Sequence, residues 1–260
     1  RGSRLYAELT AGPSRFATLR TQQMAFVHDP PRALNLARSL IQAKLTNQRT
    51  LLVATQWAAA AQAIVQIDTA LRQVAAAPTI DVVRGQEGAA AAAYFGAWRV
   101  ALAAPWQFPG RAFYPPPDPV NALLSFGYTL ALHHVLTAIH TTGLDPYLGT
   151  FHTPEVGRPS LALDVLEEFR PIVADSVVLN VLRRGVLEPG AFIHTRTSCT
   201  LSKSGSRRFL AAWERRLDEK ITHPVFGYRV SYRQVFEGQA RLLGRYLMGE
   251  IDSFPEFTTR

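Results

Sequence analysis

The sequence predicts a mainly α fold, and three observations predict it. Apolar residues recur at three- and four-residue spacing through most of the chain, capping residues followed by proline mark helix starts, and period-two alternation is short and weak. Arg4 to Leu9 alternates enough for a strand, which Gly12 and Pro13 break. Asp29 followed by Pro30 and Pro31 opens a long helix reaching about Gln56. Leu34, Leu36, Ala37, Leu40, Ile41 and Leu45, then Ile64, Ile67, Leu71 and Val74, describe two amphipathic helices suited to antiparallel packing, the second ended by Pro78. A third runs from about Val83 to Ala103 through an alanine-rich segment whose small side chains permit close helix approach. Pro115 to Pro119 is a rigid extended entry, Asp118 caps a helix from about Val120 to His140, and Gly143 stops it. Ser160 is expected to cap the short helix LALDVLEEF. Another helix follows from Ile172 to about Arg183, then a turn or small hairpin around Pro189 to Thr200, and last helices near Ser206 to Glu219 and Tyr232 to Ile251.

Composition bounds the function. With 260 residues, 47% of them hydrophobic, the chain can bury a sizeable core and reads as one main domain. The net charge of +8 favours a polyanionic partner. The single cysteine, Cys199, excludes an intrachain disulfide and a Cys-rich zinc site, so a reducing cytoplasm is the simplest compartment and the thiol is expected to be inert. No stretch approaches about 20 uninterrupted apolar residues, and no membrane role is expected. The first residues, RGSRLYAELTAGPSR, lack the features of a secretory signal and read as cut from something longer.

The chemistry concentrates in His152 to Arg170, HTPEVGRPSLALDVLEEFR, with a further acid, Glu87, in GQEGAAAAAYFGAW. Asp164 and Glu167 are three residues apart, so on a helix their side chains are neighbours. Two carboxylates that close raise each other's pKa unless a cation lies between them, and oxygen ligands with one imidazole suit Mg2+ or Mn2+. Glu168, four residues from Asp164, is not excluded by spacing, and a solvated acidic helix face is the competing reading. The other six histidines, His28, His133, His134, His140, His194 and His223, read as structural or solvated.

Five ordered stretches over about 130 residues carry a family resemblance: NQR at 47–49, GQEGAAAAAYFGAW at 85–98, PPPDPVNALLSFGYTLAL at 115–132, GLDPYLGTFH at 143–152 and GRPSLALDVLEEFRPIVAD at 157–175. In order and spacing they resemble the CRISPR spacer-acquisition integrases, called Cas-one here. The resemblance implies a helical catalytic domain, residues 21–260, preceded by a remnant of an N-terminal β domain and linker, residues 1–20. It implies that Glu87, His152 and Glu167 hold one Mg2+ or Mn2+, with Asp164 a ligand through water or a supporting group, and that the reaction is strand transfer of DNA 3′-hydroxyl ends into the CRISPR repeat. It implies as partners double-stranded DNA (prespacer and repeat), a second copy of the chain in a homodimer, and a small ferredoxin-like adaptation protein. Family members also occur joined to a reverse transcriptase or to a Cas-four type nuclease, and the abrupt start leaves a fusion open.

For DNA, Arg158, Arg111 and Arg170 flank the motifs, and Lys203 and Arg207 lead a basic stretch on one helix; a solvated helix face is the alternative for the latter pair. Asn121 and Tyr128, in NALLSFGY, are expected to support the site or touch DNA, with interior packing equally open to Tyr128. Two other readings compete with an integrase: a DNA-binding scaffold whose carboxylates are structural, and an unrelated helical metallohydrolase acting on small phosphates.

Overall fold

The structure, a computed structural model, describes residues 16–102, 104–112 and 114–259. The strand expected at Arg4–Leu9 lies outside them. Helix α1, Ala17–Val27, begins inside the segment assigned to the β remnant, so the helical unit starts by Ala17, and no periodicity announces this helix. Its Gln23 is buried and grips the 143–149 turn, donating to the carbonyls of Asp145 and Leu148 and accepting from the Asp145 N–H.

Helix α2, Pro30–Thr55, starts where the prolines place it, with Asp29 accepting from Arg32 N–H at its N-cap. It packs on α3 (Ala60–Ala75), α4 (Ile80–Ala101) and α6 (Ser160–Phe169). Helix α5, Pro119–Thr142, is capped by Asp118 and ends on Gly143 at φ 83°, a left-handed turn that favours glycine. By length and hydropathy α5 would suffice to cross a bilayer, contrary to the sequence expectation that no segment would; it lies instead against α6, the segment after it and α9, with Val120, Leu123, Leu124, Ala131, Val135 and Ile139 buried.

Ser160 is not the cap of α6. Its hydroxyl donates backwards to Thr153 and Arg158 carbonyls, Pro159 holds the N-cap position, and Ser160 is the first helical residue. Nor does the helix end at Phe169: it runs on as a π-helical turn, Arg170–Asp175, into α7, Ser176–Arg183. Pro171 has no N–H to offer the ladder, and the register slips, with Ser176 N–H donating five residues back to Pro171 O. A two-stranded hairpin, β1 (Phe192–His194) with β2 (Cys199–Leu201), stands where a hairpin was expected. Helix α8, Lys203–Asp218, and α9, Tyr232–Leu247, bracket a second hairpin, β3 (Lys220–Thr222) with β4 (Arg229–Ser231), too short to read from alternation. Cys199 is buried, and burial pushes its thiol up to about 11, consistent with an inert residue.

Candidate metal centre

Three packed helices and one loop bring the predicted acids and imidazole together. Helix α2 turns its buried face, already defined by Leu40, Ile41 and Leu45, toward α4 and α6, and Lys44 lies on that face. Lys44 Nζ is 2.5 Å from Glu87 Oε1 on α4 and 2.6 Å from Glu167 Oε2 on α6. His152 enters from the 143–159 loop, with Nε2 3.8 Å from Glu167 Oε1. Glu87, His152 and Glu167 thus share one wall of a cleft of about 650 Å3.

Asp164 has a different part. It is fully buried, and its carboxylate accepts the backbone N–H groups of Thr150, Phe151 and His152 at 2.6, 2.9 and 2.8 Å. Its Oδ1 also lies 2.7 Å from His152 Nδ1, so Nδ1–H donates to Asp164 and Nε2 faces Glu167. This is the carboxylate–histidine arrangement that orients a metal-binding imidazole. Asp164 therefore holds the loop and aims its histidine, its buried carboxylate taking part in five hydrogen bonds. The loop can come this close because residue 149 is glycine: a Cβ there would lie 2.6 Å from Ser160 C and 2.8 Å from Asp164 Oδ2. Arg84, one turn before Glu87 on α4, donates to the Phe151 carbonyl and to Thr153, fastening the loop's other side.

Glu168 is separated from its neighbour by direction and by the charges it faces, since both are buried. It faces the opposite way, fully buried, with Oε2 accepting from Phe257 N–H at 2.7 Å and from Gln239 at 2.9 Å. Burial pushes its carboxyl up to about 8 despite those bonds, whereas burial of Glu167 is overcome by Arg170, Lys44 and His152, which pull it down to about 2. Of the two adjacent glutamates, only Glu167 is an anion at neutral pH. Lys44 is buried too, which opposes its charge, but Glu167 and Glu87 more than compensate and raise its pKa above the ordinary lysine value.

The donor set suits a hard divalent ion. Among the described residues no three His, Cys, Asp or Glu side chains stand ready-made around one metal position, and the Lys44 ammonium lies between two of the acids. Glu167 Oε2 is buried, with the Lys44 ammonium beside it at 2.6 Å, off the line of a well-aligned hydrogen bond. A buried carboxylate whose Oε1 faces an oriented imidazole nitrogen offers the oxygen and nitrogen donors that suit Mg2+ or Mn2+.

The basic residues divide. Arg170 and Arg111 line the cleft, their guanidinium carbons 4.7 and 5.5 Å from the Tyr128 ring centre, and Arg170 Nε is 3.2 Å from Glu167 Oε1. Tyr128 donates to Asp175 at 2.7 Å, and Tyr94 from α4 donates to its other oxygen at 2.9 Å. The π-helical turn sets Asp175 between these two hydroxyls, where burial raises its carboxyl to about 6 against the pull of both. Asn121 is fully buried and accepts from Arg111 and from Ala112 N–H, so it holds Arg111 and its loop in place. Arg158 pairs with Glu155 outside the cleft. Lys203 and Arg207 are exposed on α8, with no ion-pair partner among the described residues.

Sequence reasoning alone misses Lys44, Arg84, Tyr94 and Asp175. Lys44 does leave a signal: it follows Leu40 by four and Ile41 by three, so a charge falls on the apolar face, and Asn47 and Gln48 follow on the next turn.

Comparison with known proteins agrees with this architecture. Residues 1–215 match the family described as CRISPR associated protein Cas1. The chain is 42% identical over 253 residues to a "CRISPR-associated exonuclease Cas4/endonuclease Cas1 fusion" of Geobacter sulfurreducens, covering 93% of this chain and 45% of that protein. It is 39% identical over 257 residues to "CRISPR-associated endonuclease Cas1 3" of Thermus thermophilus, covering 98% of this chain and 76% of the relative. The chain thus spans a little under half of the fusion it matches. Among solved structures, a Cas1 protein from Thermotoga maritima superimposes with TM-score 0.80 at 24% identity, covering 97% of this chain and 75% of that one. A chain of a Cas6-RT-Cas1–Cas2 complex does so with TM-score 0.84 at 21% identity, covering 97% and 28%. At such identities these two establish the fold alone.

Proposed function

Because the chain belongs to the Cas1 family of CRISPR-associated proteins, we propose that it is a metal-dependent DNA endonuclease and integrase that joins prespacer 3′-hydroxyl ends to a CRISPR repeat by transesterification. The observation that carries this reading is the Asp164–His152 pair, which turns Nε2 toward Glu167 in a cleft that Glu87 also lines. Glu87, His152 and Glu167 would hold the ion. Bound there, Mg2+ or Mn2+ would supply electrostatic stabilisation of the charge that builds on phosphate oxygens during in-line displacement.

The chain's own side chains do the rest. Asp164 fixes the histidine tautomer, Arg170 and Lys44 hold Glu167 in its ionised form, and Arg170 and Arg111 present positive charge toward an incoming phosphodiester. A 3′-hydroxyl held in line gives strand transfer and a water molecule gives hydrolysis; the same residues serve both, and the positioned oxygen decides. Lys203 and Arg207 on α8, with Arg158, would take duplex phosphates outside the cleft.

The named relatives suggest the company the chain keeps. One is fused to an exonuclease and one fold neighbour stands in a complex with Cas2 and a reverse transcriptase. We extend from them a homodimer bridged by a small ferredoxin-like partner, with a fused or associated nuclease or reverse transcriptase.

The test is a gel assay joining a labelled duplex with free 3′ ends to a supercoiled CRISPR plasmid, with and without Mn2+ and the small partner. Glu87→Ala, His152→Ala and Glu167→Ala are each expected to abolish joining while duplex affinity stays within a few fold. Unchanged joining in all three removes the proposal. A structural scaffold would show no metal dependence, and turnover of a small phosphate ester without DNA would point to a metallohydrolase.

A further inference from the structure

We infer that Lys44 and the divalent ion compete for the same two carboxylates, so that metal binding expels the Lys44 ammonium into the cleft, where it becomes a contact for the substrate phosphate. The inference rests on Glu87 and Glu167 being metal ligands. Its ground is position. One Nζ lies 2.5 Å from Glu87 Oε1 and 2.6 Å from Glu167 Oε2, in the space an ion shared by those acids would fill. The side chain is 9% exposed, so its charge is matched there by the two acids rather than by bulk water.

An ammonium 2.5 Å and 2.6 Å from those oxygens repels a doubly charged ion brought to the same two carboxylates. One must leave, and only the lysine is tethered. Its four-carbon stem pivots on rigid α2, and the open direction is the cleft, since α4 and α6 close the other sides. Gln48 lies one turn further along α2, and Arg170 and Arg111 stand on the same cleft wall, so the released ammonium joins a cationic rim facing the phosphate. Until an ion arrives, Lys44 neutralises two acids that would otherwise repel one another. It therefore keeps the site folded and weakens its metal affinity at once.

Direct Mn2+ binding to the purified protein without DNA, read by calorimetry or electron paramagnetic resonance, tests this, with thermal melting beside it. Lys44→Met is expected to bind Mn2+ at least tenfold more tightly than wild type, to melt lower without metal, and to gain more in Tm on adding Mn2+. Lys44→Arg keeps a cation in the gap and is expected to bind Mn2+ no more tightly than wild type. Should Lys44→Met fail to fold even with Mn2+, Lys44→Gln takes its place, and the order neutral variant above wild type, with wild type equal to or above Lys44→Arg, is still required. Equal or weaker Mn2+ binding by the neutral variants overturns the inference, showing that lysine and ion occupy the site together. Tighter binding by Lys44→Arg overturns it also. No Mn2+ binding by wild type or any Lys44 variant would instead dispose of the metal reading itself, as would binding that survives Glu87→Ala and His152→Ala.

Discussion

Adjacent residues in this chain have opposite electrostatic fates. Glu167 and Glu168 differ by one position on α6, about 100° of helix, and that turn sends one toward Lys44 and Arg170 and the other into the tail that carries Phe257. Spacing from Asp164 cannot separate them, because both satisfy a helical neighbour rule; the family resemblance favours Glu167, and the cations that face Glu167 alone give the physical reason. A pH dependence follows. An ordinary glutamate ionises near 4.5, and Glu168 is raised to about 8, so the folded state holds a proton that the unfolded chain has released. Its contribution to stability is fully present below about pH 4.5 and is lost as pH rises through about 8, with a limiting slope of about 1.4 kcal/mol per pH unit. Asp175, raised to about 6, acts in the same direction, whereas Glu167 stabilises above its unfolded pKa and loses that contribution only as pH falls through about 2. Melting temperatures between pH 6 and pH 8 check this: wild type is expected to fall, and Glu168→Gln, which has no proton to release, to fall clearly less.

At the scale of elements, the motif residues hold segments in register more often than they face the cleft. Asn47, in NQR, is fully buried and joins α2 to two other parts of the chain: its amide donates to Glu168 O at 3.0 Å and Phe257 O at 2.9 Å, and its oxygen accepts from Thr259 N–H at 2.9 Å. It thereby clips the C-terminal tail across α2 and the end of α6. Asn47→Ala leaves those groups without partners in a dry setting and is expected to destabilise by about 1–3 kcal/mol, read as a lower urea midpoint with unchanged slope. An unaltered midpoint would mean the clip is dispensable. Gly149 and Asp164 do for the His152 loop what Asn47 does for the tail. Most of the helices are legible from caps and periodicity, but α1 and the second hairpin are not, since α1 has a weak apolar face and three-residue strands carry no usable alternation.

For the whole molecule, charge and core set the terms. The excess of +8 is distributed so that Lys44 and Arg170 in the cleft are paired with buried Glu167 while Lys203 and Arg207 stay exposed and without an ion-pair partner among the described residues. Duplex binding should weaken steeply with salt, and removing both side chains should lower the log–log salt slope by about 2, roughly one unit for each phosphate no longer neutralised. Binding isotherms across a salt series measure it; an unchanged slope for the double alanine variant would assign α8 to plain solubility. The sequence by itself determined the helical class and most helix boundaries, and singled out Glu87, His152, Asp164 and Glu167 as candidates for the chemical centre through a family resemblance, because caps, spacing and ordered motifs are local properties of a chain. Only tertiary structure decided that Asp164 aims His152 instead of competing with it, that Glu168 and Asn121 are buried fastenings, and that Lys44 stands between the acids. Those facts depend on which faces of α2, α4, α5 and α6 meet, and on where burial removes water, and neither is written in any one segment.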